Sequence, residues 1–189
     1  DMTGQAAPTS TTSNFRQWND VASTPIEDID GERTAVSKKT GQRPNILTVG
    51  ADVWTSLKNH PDILDRIKYT ERGVITTDLL ASLLDLEQVL ISEASENTAV
   101  EGRTASFAFV SGKHALLTYT PRTPGRRTPA AGYTFVWTGM AGTPGNGMGA
   151  RIKRYRDEPV ESDIIEGEGY RDFKVVGTSL GALFASATA

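Results

Sequence analysis

The sequence predicts an α+β protein, and three observations predict it. Helix signals, with caps and apolar stripes, crowd into the first half. Short β-branched and aromatic runs separated by Gly- and Pro-rich turns fill the stretch after about Thr104. The order is helix, mixed, then mostly strand, without the regular alternation of a βαβ winding. The 189 residues suit one larger domain or two small ones sharing a core. No internal repeat is found.

Residues 1–14 are rich in Thr, Ser, Ala and Gly, and read as a tail too poor in large apolar groups to fold alone. Phe15 and Trp18 are the first residues able to anchor the chain. A helix then starts: Ser23 or Thr24 can cap, Pro25 fits the first helical position, and Glu27 and Asp28 suit the positive dipole end. Ile26, Ile29 and Val36 mark a sparse apolar stripe, and Gly41 suits the C-terminal cap. The body is so polar that this helix is expected to be exposed along most of its length or to lie against a neighbouring molecule.

Asn45–Val49 reads as a buried strand. Val53, Trp54 and Leu57 follow at helical spacing. Pro61 breaks that helix and opens another, with Ile63, Leu64 and Ile67 on its apolar side. Thr76 or Thr77 caps a third helix, with Leu79, Leu80, Leu83 and Leu84 inside. Gln88–Ile91 returns as a strand. FAFV, ALLTYT, YTFVW, RIKRY and DFKVV read as strands. Thr120–Pro129 is expected to be irregular, and Thr138–Ala150 a flexible loop.

Composition excludes several classes. The chain has no cysteine, so disulfides, thiolate metal sites and cysteine nucleophiles are out. A net charge of −3 argues against a surface that grips nucleic acid all over. No apolar run nears the ~20 residues that span a membrane. The first residues lack the features of a signal peptide, and the start at Asp1 reads as a cleaved or engineered piece of something longer.

Three segments imitate chemical sites. Gly177-Thr178-Ser179-Leu180-Gly181 matches the G-x-S-x-G nucleophile elbow, but no Asp, Glu or His follows Ser179, whereas that fold needs acid and then His downstream. A turn joining two strands is the simpler reading. Gly145–Ala150 loosely fits G-x-G-x-x-A, yet RIKRYRDEP reads as a strand where a dinucleotide site needs a helix. His60 with Asp62 and Asp65 is a thin metal constellation. Asp62 suits a helix start, and His60 the C-terminal end of the preceding helix. No catalytic, cofactor or metal residue is therefore assigned.

The charged runs carry more. Arg122, Arg126 and Arg127 form a basic loop. Lys153, Arg154 and Arg156 form a second basic run beside an acidic one that includes Glu158 and Glu161. Solvated faces are the plain reading. The sharper one is complementary contact between copies of the chain, since opposite-charge patches steer and register association. A nucleic-acid role for the arginines is weaker, because no stacking aromatics interleave with them.

Several motifs resemble the tailed-bacteriophage major capsid proteins, the Hong Kong 97-type coat family. In that family a Trp ends the strand returning from an extended loop, and an S-x-P-I-x-D-I-like start opens a long spine helix; Trp18 and Ser23–Ile29 match these. Thr40–Gly50 is similar to the family's T-G-x-x-P-N-x-L-V-x-G, with Thr48 departing from the usual order. Lys58–Thr70, KNHPDILDRIKYT, matches its helix pair. The PRTPG loop, Gly132–Phe135 and Glu166–Val176 also look like the family.

The resemblance covers nearly everything from Trp18 onward. It implies an α+β Hong Kong 97-like fold: a 1–14 tail, peripheral-domain pieces at 15–41 (strand and spine helix) and 150–176, an axial domain at 42–149, and a last strand at 177–189 packing on the axial core. At most 24 residues precede the spine helix, so the resemblance implies a core fragment without the N-terminal arm and most of the extended loop. The function implied is a non-enzymatic structural subunit of a phage or prophage icosahedral capsid. Hexamers and pentamers of it would enclose DNA touched only indirectly, with scaffold and portal proteins as further partners. Its place would be the virion, after assembly in the host cytoplasm, with no membrane and no cofactor. The alternatives are an encapsulin-like compartment shell, which shares the fold, and a serine hydrolase using Ser179.

Overall fold

The computed structural model describes residues 2–5, 14–68, 75–125, 127–137 and 150–189. Two compact units result: residues 1–131 with 177–189, and residues 132–176. Phe15, Trp18, Ile26 and Ile29 share the first unit's core.

The first unit is built on strands β1 (Met2–Gln5), β2 (Asn14–Arg16), β3 (Ile46–Gly50), β4 (Gln88–Ser92), β7 (Ala115–Thr118) and β12 (Gly181–Ala185). They form one sheet in the order β2-β1-β12-β7-β3-β4. β3 sits between antiparallel β7 and parallel β4, which explains its apolar sequence, ILTVG. A small antiparallel ribbon, β5 (Ser95–Asn97) with β6 (Phe107–Phe109), extends from the same unit.

The tail reading of residues 1–14 fails at its start. Met2–Gln5 lies between β12 and β2, parallel to both. Ladder bonds need no apolar side chain, and Gly4 is tolerated where any Cβ would strike the Ser186 carbonyl.

Four helices complete this unit. Helix α1 spans Pro25–Thr40, α2 Ala51–Lys58, α3 Pro61–Ile67 and α4 Thr77–Leu83. α1 ends as expected, on a left-handed Gly41 (φ 71°) whose N–H donates to Ser37 O at 2.8 Å. Its start differs. Thr24 occupies the cap position without a side-chain bond, and Ser23 turns its hydroxyl inward instead. Ile26, Ile29, Arg33 and Val36 form its buried stripe. The Thr76 hydroxyl caps α4 by accepting from Leu79 N at 3.3 Å. In α3, Ile63 and Ile67 are buried, but Leu64, expected on the same apolar side, is half-exposed.

Leu47, Val49, Val53, Leu57, Leu80 and Leu117 fill the centre. Trp18 and Phe184 are wholly buried and meet with centroids 5.2 Å apart, and Phe15 closes the trio.

The second unit holds two antiparallel ribbons. β8 (Gly132–Val136) pairs with β11 (Arg171–Val175), and β9 (Ala150–Asp157) pairs with β10 (Ser162–Gly169) through a tight turn. The β10 strand was not anticipated, because its charges mask the strand pattern. The dinucleotide-like Gly145–Ala150 segment and the expected loop at 138–149 lie outside the described residues, apart from Ala150.

Gly50 joins β3 to α2, and a Cβ there would run into the carbonyl oxygens of Ser111 and Gly112. Both obstacles are backbone, so they yield poorly. Gly50→Ala is expected to lower unfolding free energy by about 3 kcal/mol, read from urea denaturation midpoints.

Candidate subunit-contact surfaces

The basic loop is held at its root. The Asn45 side chain donates to Thr120 O at 2.8 Å and to Glu87 Oε2 at 3.0 Å, and its Oδ1 accepts from Thr120 N at 2.8 Å. Arg122 then clasps Glu87 Oε1 through Nε (2.9 Å) and Nη2 (2.6 Å). Hydrogen bonds from Arg122, and next from Asn45, hold the Glu87 carboxyl below its usual range. Arg122 is thus engaged within its own chain. Arg127 is exposed, and Arg126 lies outside the described residues.

The second basic run meets its acidic neighbour across the β9–β10 ribbon. Register places Arg151 opposite Glu168, Lys153 opposite Glu166, and Arg156 opposite Asp163. Arg151 Nη2 reaches Glu168 Oε2 at 2.5 Å, and Lys153 Nζ reaches Glu168 Oε1 at 3.0 Å. Arg154 takes Asp163 at 2.9 Å, diagonally, and Arg156 takes Glu158 at 3.1 Å. These bonds push Lys153 up and Glu168 down from their ordinary values, through the hydrogen bond between them first. Glu161 stands in the turn with a left-handed backbone (φ 50°). The complementary runs are therefore partners in one hairpin. Their opposite signs on either side of a turn were the signal that marks β10.

Exposed apolar groups are more numerous than the polar sequence suggested. Ile152, Ile165, Phe173 and Val175 in the second unit are each at least 70% exposed. So is Phe107 on the β5–β6 ribbon. On the β8–β11 ribbon, Tyr133 with Phe135 and Trp137 with Tyr170 make two ring contacts, at 6.2 and 5.6 Å between centroids. The sequence reads FAFV, YTFVW, RIKRY and DFKVV as strands without marking which of their faces is covered.

Two buried polar joints fix α1. Trp18 Nε1–H donates to Asp28 Oδ2 at 3.0 Å; burial, chiefly, raises the Asp28 carboxyl above its ordinary value. Arg33 lies under the end of α4 and donates to Leu84 O (3.1 Å), Asp85 O (2.5 Å) and Asp85 Oδ2 (2.7 Å). Asp85 adopts a left-handed conformation there (φ 53°).

No family model matches the chain. Over 117 residues, or 59% of the chain, it is 32% identical to the major capsid protein of Burkholderia phage BcepMu. Over 134 residues, or 70%, it is 34% identical to that of Pseudomonas phage JBD67. The chain is a homologue of the phage major capsid proteins. It spans about two fifths of the length of these relatives, 37% of the first and 41% of the second. A crystal structure of a phage-related protein from Bordetella bronchiseptica RB50 superposes on 90% of the chain with a TM-score of 0.77 and 25% identity, and 54% of that protein is covered.

In this capsid-protein homologue the described segments that imitate chemical sites, around Ser179 and His60, have structural roles. Ser179 sits on an exposed 3-10 turn, Thr178–Leu180, before β12. Its flanking glycines have packing reasons: Gly177 lies against Ala130 and Leu180, Gly181 against Leu117. Each histidine is committed elsewhere. His114 Nδ1 accepts from Ser186 N at 3.1 Å. His60 is a buried N-cap of α3, not the C-terminal partner expected of it. Its Nδ1 accepts from Asp62 N at 3.2 Å, while Nε2 meets Ser23 Oγ at 2.9 Å and Asp20 O at 3.2 Å. With Nδ1 accepting, the proton sits on Nε2, and Ser23 gives its own to Asp20 O at 2.7 Å. Among the described residues, no three His, Asp or Glu side chains gather at metal-binding range. None of the described helices is long and apolar enough to cross a membrane.

Arg33→Ala would leave the Leu84 and Asp85 carbonyls without their donor; the expected loss is about 2 to 3 kcal/mol in denaturant titration. Asp28 gives a pH test. Its folded value lies above the ordinary 3.8, so the folded state holds the proton longer than the unfolded chain. That contribution is full below 3.8 and is lost as pH rises through the raised value. Asp28→Asn keeps an acceptor for Trp18 and removes the titration. The expected outcome is that wild type loses stability relative to Asp28→Asn across this window, measured as paired melting midpoints from pH 3 to 7.

Proposed function

We propose that this chain is the core of a Hong Kong 97-type coat subunit that builds the icosahedral shell of a phage or prophage. The 34% identity to a phage major capsid protein over 70% of the chain is the observation that carries this reading. The mixed helix-and-strand architecture and the structural likeness at TM-score 0.77 support it. In this reading α1 is the spine helix. Residues 15–41 and 150–176 belong to the peripheral domain, residues 42–149 to the axial domain, and β12 packs back on the axial core.

The work of such a subunit is repeated contact, not turnover. Copies associate as hexamers and pentamers, DNA is enclosed without being read, and scaffold and portal proteins meet the shell from outside this chain. Assembly takes place in the host cytoplasm and ends in the virion. Many weak contacts per subunit add through multivalency. The exposed apolar residues of the β8–β11 and β9–β10 ribbons are surfaces of the kind that association covers. Arg122, Arg126, Arg127, Lys153, Arg154, Arg156, Glu158 and Glu161 stay the candidate contact residues. Surface ion pairs within the chain are weak enough to exchange partners on assembly. The encapsulin-like alternative shares the fold, but both curated relatives named above are phage proteins.

Negative-stain microscopy of the full-length parent tests the reading: closed shells or capsomer rings are expected, and strict monomers would overturn it. In the same assay, Arg126→Glu with Arg127→Glu is expected to cut the yield of shells while leaving the melting midpoint unchanged. Normal shells from that variant would remove the basic loop from the contact set.

A further inference from the structure

Helix α1 turns one stripe directly away from the core. With Ile26, Ile29, Arg33 and Val36 buried, the 100° step per residue puts Glu27, Gly31, Thr34 and Lys38 on the opposite side, and all four are exposed. The stripe reads acid, small, small, base. It is complementary to itself when reversed, because Glu27 and Gly31 stand as far before the midpoint of the helix as Lys38 and Thr34 stand after it. The two charges lie roughly 16 Å apart along the axis.

Charge signs alone have a simpler origin, since acid at the start and base at the end of a helix suit its dipole. The glycine does not. Inside a helix it is the least favourable residue after proline. A Cβ at Gly31 would meet nothing within 4 Å, so its own chain gives no steric reason for it. Glycine there opens the backbone to close approach by another helix. Among the described residues, Lys38 makes no ion pair. Glu27 is half-exposed and shares one oxygen with Arg66 at 3.1 Å, leaving the other available.

We propose that two copies of this chain pair through α1, antiparallel about a two-fold axis at the helix midpoint, with Glu27 of each copy facing Lys38 of the other and Gly31 facing Thr34. The pairing is isologous, each surface meeting its own duplicate. It rests on the reading that the chain packs against its own copies, and narrows that reading to one helix face.

Sedimentation of the purified chain from about 1 µM to 1 mM tests it. The wild type is expected to dimerise, less tightly as salt rises. Glu27→Lys and Lys38→Glu each bring like charges together in the antiparallel pair and should weaken association at least about tenfold. The double variant Glu27→Lys/Lys38→Glu exchanges the charges and should return to near wild-type affinity. Gly31→Leu should weaken association about tenfold or more while melting no lower than wild type, because the added side chain meets nothing in its own chain and improves helix propensity. A monomeric wild type across the range overturns the pairing. So does association equal in wild type and all variants, which would place the contact elsewhere and leave the capsid-subunit reading standing. Failure of that broader reading shows separately, as strict monomers of the full-length parent under the microscope.

Discussion

Phe15, Trp18 and Phe184 hold the first unit together, because they pack the two ends of the chain into one buried cluster beside the β1–β2 and β1–β12 pairings. Phe15 lies in β2 and Phe184 in β12, at opposite ends of the sequence; Trp18 touches both. The Trp18 backbone N–H donates to Ala187 O at 2.8 Å, and its indole N–H holds Asp28 in the first turn of α1. One buried ring thus fixes the chain ends to the sheet and sets where the long helix begins. Aromatic packing at this density adds specificity beyond the area it buries.

Local signals made much of this legible from the sequence. Pro25 and Gly41 bounded α1 correctly, since one fixes φ and the other permits a left-handed cap. Thr76 began α4 as a hydroxyl cap should, and Asn45–Val49 read as a buried strand where β3 runs between two neighbours. What failed depended on distant partners. β1 has no strand signature, and its bonds come from β12, nearly the whole chain away. His60 looked like a helix-end charge until Ser23 and Asp20 approached it from another segment. Ser23 missed its expected cap for the same reason. The charged candidates were legible as residues but not as an arrangement, since opposite runs flanking a turn serve equally well across a hairpin or between molecules.

That ambiguity has a physical root. Exposed ion pairs contribute little each, so the geometry that forms in a single chain is a weak commitment. A ribbon such as β9–β10 can keep its ladder of backbone bonds while its charges change partners. The glycine and threonine of α1 are a firmer kind of information: their small volume is a fixed property of the surface, unaffected by salt or by side-chain rotation.

Arg33 adds a property of another sort. Lysine in its place would give up its charge in strong base and offer a single point of attachment. A guanidinium stays protonated across the aqueous range and presents a rigid fork. Its bonds to the Leu84 and Asp85 backbone oxygens involve acceptors that do not titrate either. The fastening of α1 to α4 is accordingly insensitive to alkali, and of the three atoms Arg33 grips, only the Asp85 carboxylate responds to acid.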